Sequence, residues 1–124
     1  MSDGMQKTDY GMDLMWANHA DYACKILVFD KAKSRTSMHF HKAKDKTWFC
    51  NSGKFTLRYV DVKDGRMYEA ELEEGKVFNV PPLMPVQLEA LIDGSSVTEA
   101  SNSSDEYDIY HVIPADKWEE DGQI

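Results

Sequence analysis

The sequence predicts a single all-β domain, a sandwich or barrel of short strands. Three observations predict it. At 124 residues the chain has the length of one domain and one core. From residue 22 to residue 114 it is a succession of about nine short apolar segments, each closed by a turn signal. No stretch carries the apolar spacing of a long helix.

Residues 1–20 are polar, Met-rich and punctuated by glycine, and read as an N-terminal arm. "YACKILVFD" (22–30) is rich in strand formers. "TSMHFH" (36–41) follows a Lys/Ser/Arg turn, and "KTWFCN" (46–51) ends at the turn pair Ser52-Gly53. "KFTLRYVDV" (54–62) sets Phe55, Leu57 and Tyr59 against Thr56 and Arg58. "KDG" (63–65) then marks a hairpin into "RMYEAEL" (66–72). "KVFNV" (76–80) runs into Pro81-Pro82. "VQLEALI" (86–92) alternates Val86, Leu88 and Ala90 with Gln87 and Glu89. "SSVTEAS" (95–101) and "EYDIYHVIP" (106–114) close the series around a polar loop, "NSSD". "PADKWEEDGQI" holds at most a turn of helix. The expected division is an arm over 1–20, a β domain over 21–115 and a tail over 116–124.

Charge narrows the function classes. The formal net charge of −8 and pI near 4.9 repel phosphate backbones and anionic membranes, so neither nucleic acid nor membrane is an expected partner. The start has no basic, apolar leader and no run has the length of a membrane span, so a cytoplasmic protein is expected. Cys24 and Cys50 lie in strand-like stretches and read as buried free thiols. There is no nucleophile elbow, phosphate-binding glycine loop or CxxC. The run "EAELEE" (69–74) reads as a solvated face, His111 as a structural or edge residue, and His19 as a residue of the arm without a role.

The candidate chemistry lies in "SMHFHKAKDKTWFCNSGKF" (37–55). On a strand, His39 and His41 point to one face and Phe40 to the other. A second stretch, "EGKVFNVPPLMPVQLEAL" (74–91), follows about twenty residues after Gly53. Together they resemble the two motifs of the cupin family, G-x5-H-x-H-x(3,4)-E-x6-G and G-x5-P-x-G-x2-H-x3-N. His39, His41 and Gly53 fall on the first motif, and Gly75 and Pro81 on the second. The resemblance covers roughly residues 22–115. It is similar to stand-alone cupins like the cupin part of phosphomannose isomerases, which read "HxHK…ETWYVLSGK" and "IPPGTPHQLEAL". It implies a double-stranded β-helix (a cupin jelly roll), a homodimer, and a barrel site for a small molecule.

The departures are specific. Lys33 and Leu83 stand at motif glycines, Lys46 at the glutamate ligand, Val86 at the histidine ligand and Ala90 at the asparagine. Of the four metal ligands the resemblance implies, His39 and His41 remain. Zinc sites keep three or four protein ligands, and non-haem iron sites use two histidines and a carboxylate. Lys46 removes a donor and adds a positive charge. Two unit charges ~4 Å apart interact by about 4 kcal/mol at an effective dielectric of 20, and a divalent ion doubles that. Divalent metal is therefore disfavoured, with Cys50 left as a possible soft third ligand. The ammonium of Lys46 is instead expected in the place of the cation, donating to neutral His39 or His41. Beside it, Trp48 offers a ring for stacking and Val86, Leu88 and Ala90 apolar walls.

The expected ligand site is thus His39, His41, Lys46 and Trp48, with affinity for a small anion that falls as the histidines lose their protons near ~6.5. Three readings stay open: a small-molecule binding cupin for a sugar or sugar phosphate with a degenerate metal site; an enzyme similar to sugar-phosphate isomerases or epimerases; and a structural or interaction module without a ligand.

Overall fold

The computed structural model describes residues 4–102, 105 and 107–117. Among these it has eleven strands: β1 (Met5–Lys7), β2 (Gly11–Asn18), β3 (Ala23–Phe29), β4 (Met38–Phe40), β5 (Lys46–Ser52), β6 (Lys54–Asp61), β7 (Arg66–Glu73), β8 (Val77–Val80), β9 (Val86–Ala90), β10 (Ser95–Ser101) and β11 (Tyr110–Ile113). They form two antiparallel sheets, ordered β1-β2-β3-β10-β5-β8 and β11-β4-β9-β6-β7. One 3-10 turn, Ala115–Lys117, follows β11. Ser103, Ser104 and Glu106 of the loop region and residues 118–124 of the expected tail lie outside the described residues.

The core lies between the sheets, where the pleat puts every second residue. Phe29, Trp48, Phe55, Leu88 and Val97 are fully buried there. In β6 the expected alternation of faces holds: Phe55 and Leu57 point into the core, while Arg58 points to the opposite face, where it is also buried and ion-pairs with Glu69 at 2.7 Å. In β9, however, all five residues are buried. The segment before β4 covers its outer face: Gln87 Nε2 donates to the Thr36 carbonyl at 3.1 Å, and Arg35 pairs with Glu89 at 3.0 Å.

Much of the segment read as an arm is sheet. β1 pairs with β2, and β2 pairs with β3 from Gly11↔Phe29 to Asn18↔Ala23. Apolar residues were present there, Met12, Leu14, Met15 and Trp16, but the bulge between Met15 and Ala17 breaks their two-residue period.

Two backbone positions carry a conformation their side chains resist. Lys33 and Leu83 have φ of 74° and 73°. Both fall at motif positions that would hold glycine, and there the left-handed conformation costs a non-glycine residue about 1–2 kcal/mol. Both backbones are held by short hydrogen bonds, Lys33 N to the Ala90 carbonyl and Leu83 N to the His41 carbonyl, each at 2.7 Å. Leu83 is also 54% exposed, so its side chain has little packing to lose. Leu83→Gly is therefore expected to stabilise the fold by about 0.5–1 kcal/mol, offset in part by the flexibility glycine adds to the unfolded chain. Chemical denaturation measures it; an unchanged or lowered midpoint would show that the turn is not strained.

Candidate functional site

Strand alternation aims His39, Lys46, Trp48 and Glu99 into the space between the sheets, and His41 joins them just beyond the end of β4. His39 stands opposite Val86 in the β4–β9 pairing, and Lys46 opposite Ser101 in the β5–β10 pairing. The two imidazoles meet edge to face with centroids 5.5 Å apart.

Their tautomers follow from their outer nitrogens. His39 Nδ1 lies 2.8 Å from the Ser37 carbonyl, and His41 Nδ1 bonds the Asp108 carbonyl. A carbonyl only accepts, so each Nδ1 carries the proton and each Nε2 presents a lone pair to the interior. Between those lone pairs sits the Lys46 ammonium, 3.3 Å from His39 Nε2 and 3.4 Å from His41 Nε2. The same ammonium lies 3.6 Å from Glu99 Oε1 and 4.6 Å above the Trp48 ring. The ammonium thus stands where two imidazoles and a carboxylate converge.

Glu99 is the carboxylate of this cluster that the sequence reading missed. Besides Lys46 it meets Lys44 at 3.0 Å, Lys25 at 3.9 Å and the Trp48 indole N–H at 2.9 Å. Its signal was an acidic residue in phase with Val97 on the inward face of β10. Lys25 likewise shares the inward phase of Leu27 and Phe29 on β3. An ionic group at an apolar phase is worth marking, because burial is costly unless the charge is paired.

Burial and these neighbours set the proton states. Burial lowers His39 well below 6.5, and the Lys46 charge lowers it further. Burial and Lys46 bring His41 down to about 4. Both rings are therefore neutral near pH 7, and the expected change in affinity near ~6.5 does not arise from them. Burial lowers Lys46 to about 8 against the pull of Glu99. For Glu99, burial pushes upward, but Lys46, Lys25 and Lys44 outweigh it and hold the carboxyl well below 4.5.

These groups floor a cavity of about 1060 Å³. Its walls differ from those expected: Val86, Leu88 and Ala90 are fully buried in the core, and Tyr10, Leu27, Ile109 and Pro114 take their place. Tyr10 comes from the segment read as an arm; it stacks on Phe29 at 4.4 Å and its hydroxyl donates to Asp13. Trp48 lines the cavity but is 0% exposed, with Lys46 over its face. His111 reaches the rim, 2.7 Å from Ser37 Oγ. His19 stacks on Tyr22 outside the cavity. Cys24 and Cys50 are free. Cys50 is inward but four residues from Lys46, about 13 Å along the strand, and does not line the cavity.

The residues do not fit a divalent ion. Among the described residues no three His, Cys, Asp or Glu side chains are grouped to hold one. The space between the convergent donors belongs to the Lys46 ammonium. No helix among the described residues is long and apolar enough to cross a membrane.

No protein-family model matches the chain, and no curated protein matches it in sequence. Solved structures do. The capsular polysaccharide assembling protein CapF from Staphylococcus aureus superposes with a TM-score of 0.78 and 21% identity, over 91% of this chain and 33% of its own. Oxalate decarboxylase from Bacillus subtilis superposes with a TM-score of 0.79 and 16% identity, over 89% of this chain and 30% of its own. KdgF from Halomonas sp. has a TM-score of 0.70 and 19% identity, over 82% of this chain and 87% of its own. The chain thus spans about a third of the CapF and decarboxylase chains. All three are cupin-fold proteins, and the fold of this chain is the cupin jelly roll.

Proposed function

From a cupin fold whose metal position is taken by a lysine, we propose that the chain binds a small anionic polar molecule, a sugar phosphate or carboxylate, without a metal ion. The observation that carries the reading is the Lys46 ammonium on the lone pairs of His39 and His41 at 3.3 and 3.4 Å. It supplies from the protein itself the positive charge that a metal would otherwise bring. Counting Lys46 itself, five lysine or arginine side chains and four carboxylates line the cavity of a chain whose net charge is −8. A cavity one charge positive inside an acidic protein favours anions at that one place.

The test is thermal shift with chelator present, comparing glucose 6-phosphate, oxalate and neutral glucose. A ligand at a hundred times its Kd raises stability by about 2.7 kcal/mol. The anions are expected to raise the Tm and glucose much less. Lys46→Met, which keeps the length and loses the charge, is expected to abolish the difference. Because Lys46 titrates near about 8 and the histidines far lower, anion affinity should hold through pH 6–7 and fall as pH rises through 8. Binding that needs a divalent ion, or no preference for anions, would refute the reading.

A proton-transfer enzyme is the second reading. Lys46, near about 8, faces two neutral imidazoles that can accept its proton. Deuterium exchange at the carbon beside the carbonyl of a bound sugar phosphate would distinguish catalysis from binding.

A further inference from the structure

We propose that Ser37 and His111, at the rim of the cavity, form a nucleophile–base pair that hydrolyses ester groups on the anionic molecules held at Lys46. Ser37 Oγ lies 2.7 Å from His111 Nδ1, the separation at which an imidazole activates a hydroxyl. Strand pairing brings the two together. Ser37 directly precedes β4, and β11 lays His111 opposite His39 in the β11–β4 pairing. The register shifts between His111 and Ile113, a bulge of the kind that re-aims a side chain. Both residues line the cavity, Ser37 half-buried and His111 exposed, so a ligand in the cavity can reach them.

The proton directions follow from His39. Its Nδ1 carries the proton donated to the Ser37 carbonyl at 2.8 Å, and the same N–H faces Ser37 Oγ at 3.3 Å. Towards this hydroxyl His39 is a donor, so the hydroxyl proton goes to His111 Nδ1. Ser37 thus points its O–H at a bare ring nitrogen, as a general base requires. The Ser37 carbonyl also accepts from Thr36 Oγ1 at 2.9 Å, which fixes the backbone of the nucleophile. Burial does not demand the Ser37–His111 bond, because His111 is exposed and water can serve it there.

His39 also selects the substrate. Through Nδ1 it meets Ser37 Oγ and through Nε2 the Lys46 ammonium, each at 3.3 Å. The anion site and the nucleophile are therefore one imidazole apart. A molecule whose anionic group rests on Lys46 brings a group a few bonds away onto Ser37. The substrate class is an O-acyl ester of a small sugar acid or sugar phosphate; this assignment rests on the anion-binding reading above, whereas the pair itself does not. Lys33 and Arg35 line the same cavity, and their charge favours the oxyanion that forms on the ester carbonyl.

In the first step Ser37 Oγ bonds to the carbonyl carbon and its proton passes to His111 Nδ1. The bond from that carbon to the alcohol oxygen breaks, and His111 returns the proton to the departing alcohol. Water then adds to the acyl-serine and gives a proton to His111. The bond to Oγ breaks, Oγ recovers the proton, and a carboxylic acid leaves.

An uncharged alkyl fluorophosphonate, which labels activated serines, tests the pair by intact mass and peptide mapping. The expected result is one label per chain, on Ser37. Ser37→Ala should abolish it. His111→Gln, which keeps an acceptor for the hydroxyl, should slow it by about a hundredfold or more, with circular dichroism unchanged in both variants. Glucose 6-phosphate, at a concentration that raises the Tm, should slow labelling severalfold by covering Ser37. Failure of that Tm shift would refute anion binding and leave the labelling of Ser37 to stand or fall by itself. No label on Ser37, a label that survives Ser37→Ala, indifference to His111→Gln, or a stabilising anion that gives no protection would each overturn the proposal.

Discussion

Lys46→Ala is expected to turn the barrel into a divalent-metal site, binding zinc or nickel at least a hundredfold more tightly than the unmodified chain. Three donors already converge on the ammonium: His39 Nε2 at 3.3 Å, His41 Nε2 at 3.4 Å and Glu99 Oε1 at 3.6 Å. Two imidazoles and a carboxylate form the facial set used by non-haem iron, and the same donors suit zinc. Both rings are held through Nδ1 by backbone carbonyls, the outer support that metal-binding histidines need. Removing the ammonium deletes a repulsion of roughly 8 kcal/mol for a doubly charged ion at ~4 Å and an effective dielectric of 20. A hundredfold gain asks for about 2.7 kcal/mol of that, and the rest is available for drawing the donors in to bond lengths of about 2.1 Å. Lys46→Glu should bind tighter still by adding a carboxylate, and Lys46→Glu with Val86→His tightest. Calorimetric titration with zinc, nickel and manganese decides the order. Folded variants that release no heat, or an unmodified protein that binds as tightly, would sink the idea that Lys46 stands in for a cation.

Glu99→Gln should cost about 3–5 kcal/mol of stability at pH 7, the usual consequence of removing one partner from a buried ion pair. Glutamine keeps an acceptor for the Trp48 indole but leaves Lys46, with a side chain only 2% exposed, without its counter-charge. Adding Lys46→Met should recover most of the loss. Guanidinium denaturation of the single and double variants measures this; a single-variant loss below about 1 kcal/mol would mean that Lys44 and Lys25 hold Glu99 for reasons unrelated to Lys46.

The same cluster sets the acid response of the unmodified protein. His39 and His41 are buried neutral, so the unfolded chain takes up protons first, near 6.5, and stability falls as pH drops from there toward about 4. Glu99 has its folded pKa below the unfolded value of about 4.5. Its contribution is complete above 4.5 and disappears as pH falls through the folded value.

Much of this was readable from residues alone. Turn chemistry such as "KDG" and the two-residue alternation of "KFTLRYV" are local, and the β6–β7 hairpin follows from them. The orientation of His39 with Lys46 depended on strand phase plus a resemblance between two distant stretches, and it survived the loss of both motif glycines because Lys33 and Leu83 adopt the glycine backbone anyway. The segment before β3 was read as an arm because its apolar residues do not keep a two-residue period: Met15 and Trp16 stand side by side at the bulge of β2.

By itself the sequence determined the order of the strands from β3 to β11, the phase that aims His39, Lys46 and Trp48 inward, and the absence of a complete donor set at the motif positions. The tertiary structure decided which inward residues meet. Glu99 reaches Lys46 because β10 lies against β5, a pairing between residues 55 apart in the chain at the Lys44–Glu99 bond. That contact sets the charge of the cavity, and nothing local to either strand encodes it. Strand phase is fixed by covalent geometry within a few residues, whereas the neighbour of a strand is chosen by the packing of the whole core.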